Sequence, residues 1–168
     1  MALYLIGDIQ GCHTAFTRLL HHLDFSPSRD TLFVLGDLVN RGPDNVGVLR
    51  RLRDLGSSAR CLLGNHDLHL ISLASGLARH RDDDTLRAIL KAPDRDELIA
   101  WLRTRPMMHV ENRWVMVHAG LLPQWDADQA EALVGDDLSD TTRATLARAT
   151  VKPQAIALAL GSPEFQRR

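Results

Sequence analysis

The sequence predicts an α/β protein built on a parallel sheet, and three observations carry that expectation. Short apolar runs at 2–6, 31–35 and 59–63 each end in a glycine followed by a polar side chain, at Gly7-Asp8, Gly36-Asp37 and Gly64-Asn65. The segments between them space their apolar residues at helical intervals. With 168 residues, 45% hydrophobic and 24% charged, the chain holds enough apolar material for about one domain with its own core.

Taken in order, residues 2–6 form the first strand, and Phe16, Leu19, Leu20 and Leu23 mark a helix leading to the second strand at 31–35. Pro43 opens a further stripe through Val46, Leu49, Leu52 and Leu55, closed by Gly56, before the third strand at 59–63. Residues 67–105 read as mostly helical, with stripes through Leu68, Ile71 and Leu73 and through Leu98, Trp101 and Leu102. The polar patch 79–84 and Pro93-Asp94 divide this block, which is expected to cap the sheet. Residues 107–110 and 114–117 read as a hairpin around Glu111-Asn112-Arg113, whose second strand delivers His118. Beyond Pro123 the pattern turns helical again, at 127–133 and 143–149.

Charge and composition exclude several function classes. Twenty Lys and Arg against 21 Asp and Glu leave a net charge of -1, which gives no overall field for duplex nucleic acid. The two cysteines, Cys12 and Cys61, build neither a disulfide framework nor a thiolate zinc site, and a reducing compartment fits them. No stretch approaches 18 apolar residues and the opening MALYLIGD has no basic leader, so the expectation is a cytoplasmic protein with no membrane partner.

A parallel sheet sets its strand carboxyl ends along one rim, where loops build ligand sites. Asp8, Gln10, Asp37, Asn65, His66 and His118 all fall at or just beyond expected strand ends. Carboxylate, amide oxygen and imidazole suit hard or borderline divalent cations such as Mn, Co, Mg, Fe or Zn, and Asp37 is placed to bridge two of them. Each residue also has a purely structural reading: Asp caps helices, Asn takes turns, and a single His is often just hydrogen-bonded. Gly7, Gly36 and Gly64 are either plain turn residues or gaps that admit metal and phosphate. Arg41, just after this run, is either a phosphate-binding guanidinium or a salt-bridge partner. His13 and His69 read as structural, and Arg50, Arg51 and Arg53 as a solvated helix face.

The motifs GDIQG at 7–11, GDLVNRG at 36–42, GNHD at 64–67 and VHAG at 117–120, in that order, resemble the calcineurin-like metallophosphoesterase superfamily. Within it, LYLIGDIQGC, GDLVNRGPDN, LLGNHDLHL and VHAGLLPQW are similar to the bacterial tetraphosphatase branch, from Leu3 to about Leu138. The resemblance implies a layered metallophosphoesterase-type fold, part of a four-layer αββα sandwich with a helical cap. It implies two divalent metal ions, Mn or Co before Mg, Fe or Zn, held by Asp8, Gln10, Asp37, Asn65 and His118. His66 would protonate the leaving oxygen, Arg41 and Asn65 would hold substrate phosphate, and Trp125 would stack on adenine. The implied reaction is hydrolysis of diadenosine tetraphosphate, a dinucleoside polyphosphate, to two ADP. A protein or small-molecule phosphatase, or a catalytically silent fragment binding nucleotide or a partner, are the alternatives.

Three departures accompany the resemblance. Gln10 stands where the superfamily carries His, and an amide oxygen coordinates more weakly. Asn40 stands where the protein phosphatases carry an Asp that orients the catalytic imidazole, so His66 is expected to lean on Asp67 or another neighbour. No histidine follows His118, whereas the family's distal portion supplies a further sheet and another ligand. The expectation is one metallophosphoesterase-like domain over 1–168, incomplete at its C-terminus, with a sheet edge open to self-association.

Overall fold

A computed structural model describes residues 1–111 and 114–120. The chain divides into two compact units, Met1–Arg105 and a second that begins at Pro106. The first is the α/β unit. Its parallel sheet runs β1 (Leu3–Ile6), β2 (Thr31–Val34), β3 (Ala59–Cys61), in that order, with Leu5 beside Phe33 and Val34 beside Cys61. Helices α1 (His13–His22) and α2 (Asn45–Asp54) connect the strands, and α3 (Asn65–Ala74), α4 (Arg87–Leu90) and α5 (Arg95–Arg103) follow β3. The fold class is thus a layered α/β unit with a helical cap, as the periodicity predicts.

The strands are shorter than their apolar runs. β2 stops at Val34 and β3 at Cys61, yet Leu35, Leu62 and Leu63 remain buried. Their hydrophobicity serves the loops that descend from the rim rather than the sheet ladder. β2 is central, and Leu32, Phe33 and Val34 are fully buried, as expected of a parallel strand covered on both faces. Leu32 and Val34 join a core with Phe16 and Leu20 of α1, Leu49 and Leu52 of α2, Leu70 of α3 and Leu98 of α5. On the other face the Arg60 guanidinium lies 5.4 Å from the Phe33 ring centroid, a cation–π contact.

Local chemistry sets the helix limits. Asp44, not Pro43, caps α2, its carboxylate accepting from the Gly47 N–H at 2.8 Å. Gly56, at φ 57°, takes the left-handed position that ends the helix, which a side chain would resist. Arg50 and Arg53 are not simply a solvated face. Arg50 grips Asp94 at the start of α5 with Nε at 3.0 Å and a terminal nitrogen at 2.7 Å, and Arg53 reaches Glu97 at 3.4 Å; only Arg51 is left fully at the surface. The second unit contributes an antiparallel hairpin, β4 (Met108–Glu111) and β5 (Trp114–Val117). Glu111 pairs with Trp114, so the strand extends one residue into the expected turn. The helices expected beyond Pro123 lie outside the described residues. No helix among the described residues is long and apolar enough to cross a membrane.

Asp30 ties the starts of β1 and β2 together. Buried, it accepts from the backbone of Ala2 at 2.9 Å and of Ser26 at 3.1 Å, and from Arg29 at 2.8 Å. The Arg29 guanidinium, helped by the two backbone donors against burial, holds its carboxyl well below the usual carboxylate range. A carboxyl depressed in the folded state stabilises the fold above its unfolded value of about 3.9, and that contribution fades as pH falls further toward the folded value. Urea melts between pH 6 and pH 2.5 are therefore expected to show stability falling below about pH 4, and Asp30→Asn to show a shallower fall.

Candidate metal centre

Two loops leave the carboxyl ends of β1 and β2 and lock together. The N–H groups of Gln10 and Gly11 donate to the carbonyls of Asp37 and Leu38 at 2.9 and 3.0 Å, and those of Gly42 and Asp44 donate back to Gln10 and Gly11 at 2.7 and 3.0 Å. Gln10, Asp37, Asn40 and Arg41 adopt positive φ, at 47°, 50°, 76° and 64°; they are four of the five non-glycine residues that do so among the described residues. Each such conformation costs on the order of 1–3 kcal/mol and persists only where surrounding contacts impose it. The strain is concentrated where the sequence places its candidate ligands.

A carboxylate oxygen of Asp8 and one of Asp37 lie within 4.8 Å of each other. The Gln10 amide sits beside both, with Nε2 3.3 Å from Asp8 Oδ2 and 3.5 Å from Asp37 Oδ2. Asp37 is buried at 3% exposure, and its Oδ1 accepts from the His66 N–H at 2.9 Å, which fixes the carboxylate and leaves Oδ2 beside the Gln10 amide. Two facing carboxylates flanked by an amide fit a divalent cation, which neutralises their mutual repulsion. For Gln10 to be a ligand its amide must turn over, exchanging Nε2 for Oε1. Asn65 is the exposed first residue of α3, and His118, half-buried, directly follows β5 in the second unit. Trp125 lies outside the described residues.

Gly64 makes room for Asp37. A Cβ built there would lie 2.2 Å from Asp37 Oδ1 and 2.3 Å from the Asp37 amide nitrogen, so its missing side chain accommodates the Asp37 carboxylate. Asp67, three residues on, is fully buried and accepts from the N–H groups of Gly64 at 2.8 Å and Leu38 at 3.0 Å. Burial pushes its carboxyl up to about 8 against those donors. Its oxygens thus serve the backbone that joins the β2 loop to α3, so of the supports expected for His66, Asp67 or another neighbour, it is the other neighbour that the structure shows. That neighbour is Asn40, whose Nδ2 lies 3.1 Å from His66 Nδ1. Burial lowers the His66 pKa, with Asp37 acting in the opposite sense.

The polar patch expected only to break helices brings further residues to this rim. Asp84 accepts from Asn40 Nδ2 at 3.0 Å, from His69 Nε2 at 2.8 Å and from the Arg81 N–H at 2.8 Å. Burial raises its pKa, but these donors together outweigh that and hold the carboxyl at about 2. Thr85 donates its N–H to Asn40 Oδ1 at 3.0 Å. Arg41 is ion-paired with Asp83, whose carboxyl it holds below its ordinary range; this is the salt-bridge alternative read from the sequence. His13 pairs with Asp44 at 3.0 Å, in keeping with a structural role. Reading the sequence by helical periodicity missed Asp83, Asp84 and Thr85. Three consecutive aspartates amid helical stripes were the available signal.

Gly64→Ala drives a methyl group into the Asp37 carboxylate and amide, and is expected to destabilise the chain by about 1–3 kcal/mol, the usual cost of overpacking. Denaturant titration measures this, and Gly64→Ala should lose more than Gly56→Ala, where a Cβ meets nothing within 4 Å and only the left-handed φ opposes it.

The sequence model for calcineurin-like phosphoesterases matches residues 1–154. A symmetrical bis(5'-nucleosyl)-tetraphosphatase of Delftia acidovorans is 58% identical over 142 residues, 81% of this chain and 50% of the relative. That of Methylococcus capsulatus is 51% identical over 136 residues, 81% of this chain and 49% of the relative. The chain spans about half the length of these curated relatives. A crystal structure of a candidate diadenosine tetraphosphatase superposes with TM-score 0.63 at 32% identity, over 79% of this chain and 61% of that one. A metallophosphoesterase from Sphaerobacter thermophilus shares the fold, with TM-score 0.55 at 20% identity over 73% of this chain and 47% of that one. On the match to its sequence model, the chain belongs to the calcineurin-like phosphoesterase family.

Proposed function

We propose that this chain carries the metal-binding rim of a hydrolase that splits diadenosine tetraphosphate into two ADP, with Mn or Co as the cations and Mg, Fe or Zn as the alternatives. The observation that carries the reading is the Asp8 and Asp37 pair, two acidic oxygens within 4.8 Å at the ends of neighbouring parallel strands. The 58% identity to a symmetrical bis(5'-nucleosyl)-tetraphosphatase supports the substrate. In this reading Asp8, Gln10, Asp37 and Asn65 would hold the cations, and His118 is the further ligand that the sequence offers. Such cations, when bound, acidify water and neutralise the charge that builds on phosphate oxygens.

The remaining roles fall to the chain's own side chains. Arg41 already pairs with a carboxylate, the acceptor most like a phosphate oxygen, so exchanging Asp83 for substrate phosphate keeps its charge compensated. Asn65, exposed at the first position of α3, stands where a helix start favours negative charge and supports phosphate binding. His66 faces Asp37 Oδ2 with Nε2 at 3.8 Å, which supports it as the donor to the leaving oxygen. Trp125 is the residue proposed to stack on adenine. Among the described residues β1 is an edge of its sheet with Leu3 and Leu5 exposed, which supports self-association as the partner mode; a cytoplasmic location goes with the same reading.

The test is release of ADP from diadenosine tetraphosphate by the Mn-loaded chain, set against phosphate release from p-nitrophenyl phosphate and a phosphopeptide. The expected result is preferential ADP formation, lost by at least about 100-fold in Asp37→Asn, the upper end of what even outer partners of a metal cost. Faster turnover of the monoesters overturns the substrate, and a rate unaffected by Asp37→Asn overturns the site.

A further inference from the structure

Asn40 is buried at 1% exposure, and its amide is held from both sides. Oδ1 accepts from the N–H groups of Arg41 at 2.9 Å and Thr85 at 3.0 Å. Nδ2 lies 3.0 Å from Asp84 Oδ1 and 3.1 Å from His66 Nδ1. Turning the amide over would set an NH2 group against two backbone donors and an oxygen against a carboxylate, so this orientation is the one that satisfies every partner. Of the two hydrogens on Nδ2, one goes to Asp84 and the other to His66 Nδ1. That ring nitrogen must then offer a lone pair. A neutral imidazole has a single N–H, which leaves it on Nε2, the nitrogen facing Asp37.

We propose that Asp84 is a positioning residue: by anchoring the Asn40 amide it fixes His66 as the tautomer with its hydrogen on Nε2. Asp84 is itself anchored, its side chain 1% exposed and its second oxygen occupied by His69 and the Arg81 N–H. The arrangement reverses the one in which a carboxylate takes the hydrogen of Nδ1. Instead of a stored proton, His66 turns a neutral donor toward the rim. This consequence for catalysis rests on the hydrolase reading above, whereas the tautomer does not.

The test is nitrogen-15 NMR of the histidine-labelled chain at one pH above the imidazole range, where the two ring-nitrogen shifts report the tautomer. His66→Gln assigns the resonances. The expected result is Nε2 at the protonated end of the shift range and Nδ1 at the unprotonated end. In the double variant Asn40→Asp with Asp84→Asn, amide and carboxylate trade places while each partner still meets a complementary group, and the two shifts are expected to exchange. Asp84→Ala alone should draw them toward each other, and it decides the matter if the double variant does not fold. A wild-type ring with its hydrogen on Nδ1, or shifts unmoved in the folded double variant or in Asp84→Ala, overturns the proposal. No metal or substrate enters the measurement, so a failed hydrolysis assay and a failed tautomer assignment are separate outcomes.

Discussion

The fixed position of the Asp37 carboxylate is the constraint from which most of the described rim follows. Its oxygen must face Asp8 while its backbone sits at a left-handed angle, a geometry that a short aspartate tolerates better than most residues. The conformation is held from three directions. The Gln10 N–H bonds to its carbonyl, the His66 N–H bonds to Oδ1, and Gly64 leaves the space that a side chain would take. One candidate ligand is therefore specified jointly by the β1 loop, the β2 loop and the start of α3.

Asp67 completes the same arrangement from below. By accepting from Leu38 and Gly64 it joins the β2 loop to the first turn of α3 with a single buried carboxylate. The interaction also satisfies one of the N–H groups that every helix start leaves unpaired, as half of a capping box, since Gly64 has no side chain to supply the other half. The GNHD motif thus divides its labour. Gly64 yields space, His66 meets Asp37, and Asp67 fastens the turn.

Much of this was legible in the sequence because it rests on local spacing. Three apolar runs ending in Gly plus a polar residue give the strand order of elements, and the helical stripes through Leu49 and Leu52 or Leu98 and Leu102 match buried positions. The places of Asp8 and Asp37 at one rim follow from the parallel sheet itself. What periodicity does not encode is which long-range partner satisfies a polar group. Asp84 and Asn40 are 44 residues apart, and only the return of the 79–85 loop to the β2 loop brings them together. For the same reason Arg50 and Arg53 read as solvent-facing when α5 supplies their partners, and spacing leaves open whether Asp67 or another neighbour supports His66, when backbone donors claim Asp67 first.

The interlocked loops also bear on how such a rim can diversify. Four main-chain bonds weld the β1 and β2 loops into one piece, so an insertion in either would unthread both and scatter the carboxylates. The 79–85 segment is attached differently, through side chains such as Asp83 and Asp84, and its length is not fixed by a ladder of backbone bonds to the rim. The 79–85 segment can therefore change length only away from Asp84 and Thr85, the two residues that hold Asn40, while the interlocked loops beneath keep theirs.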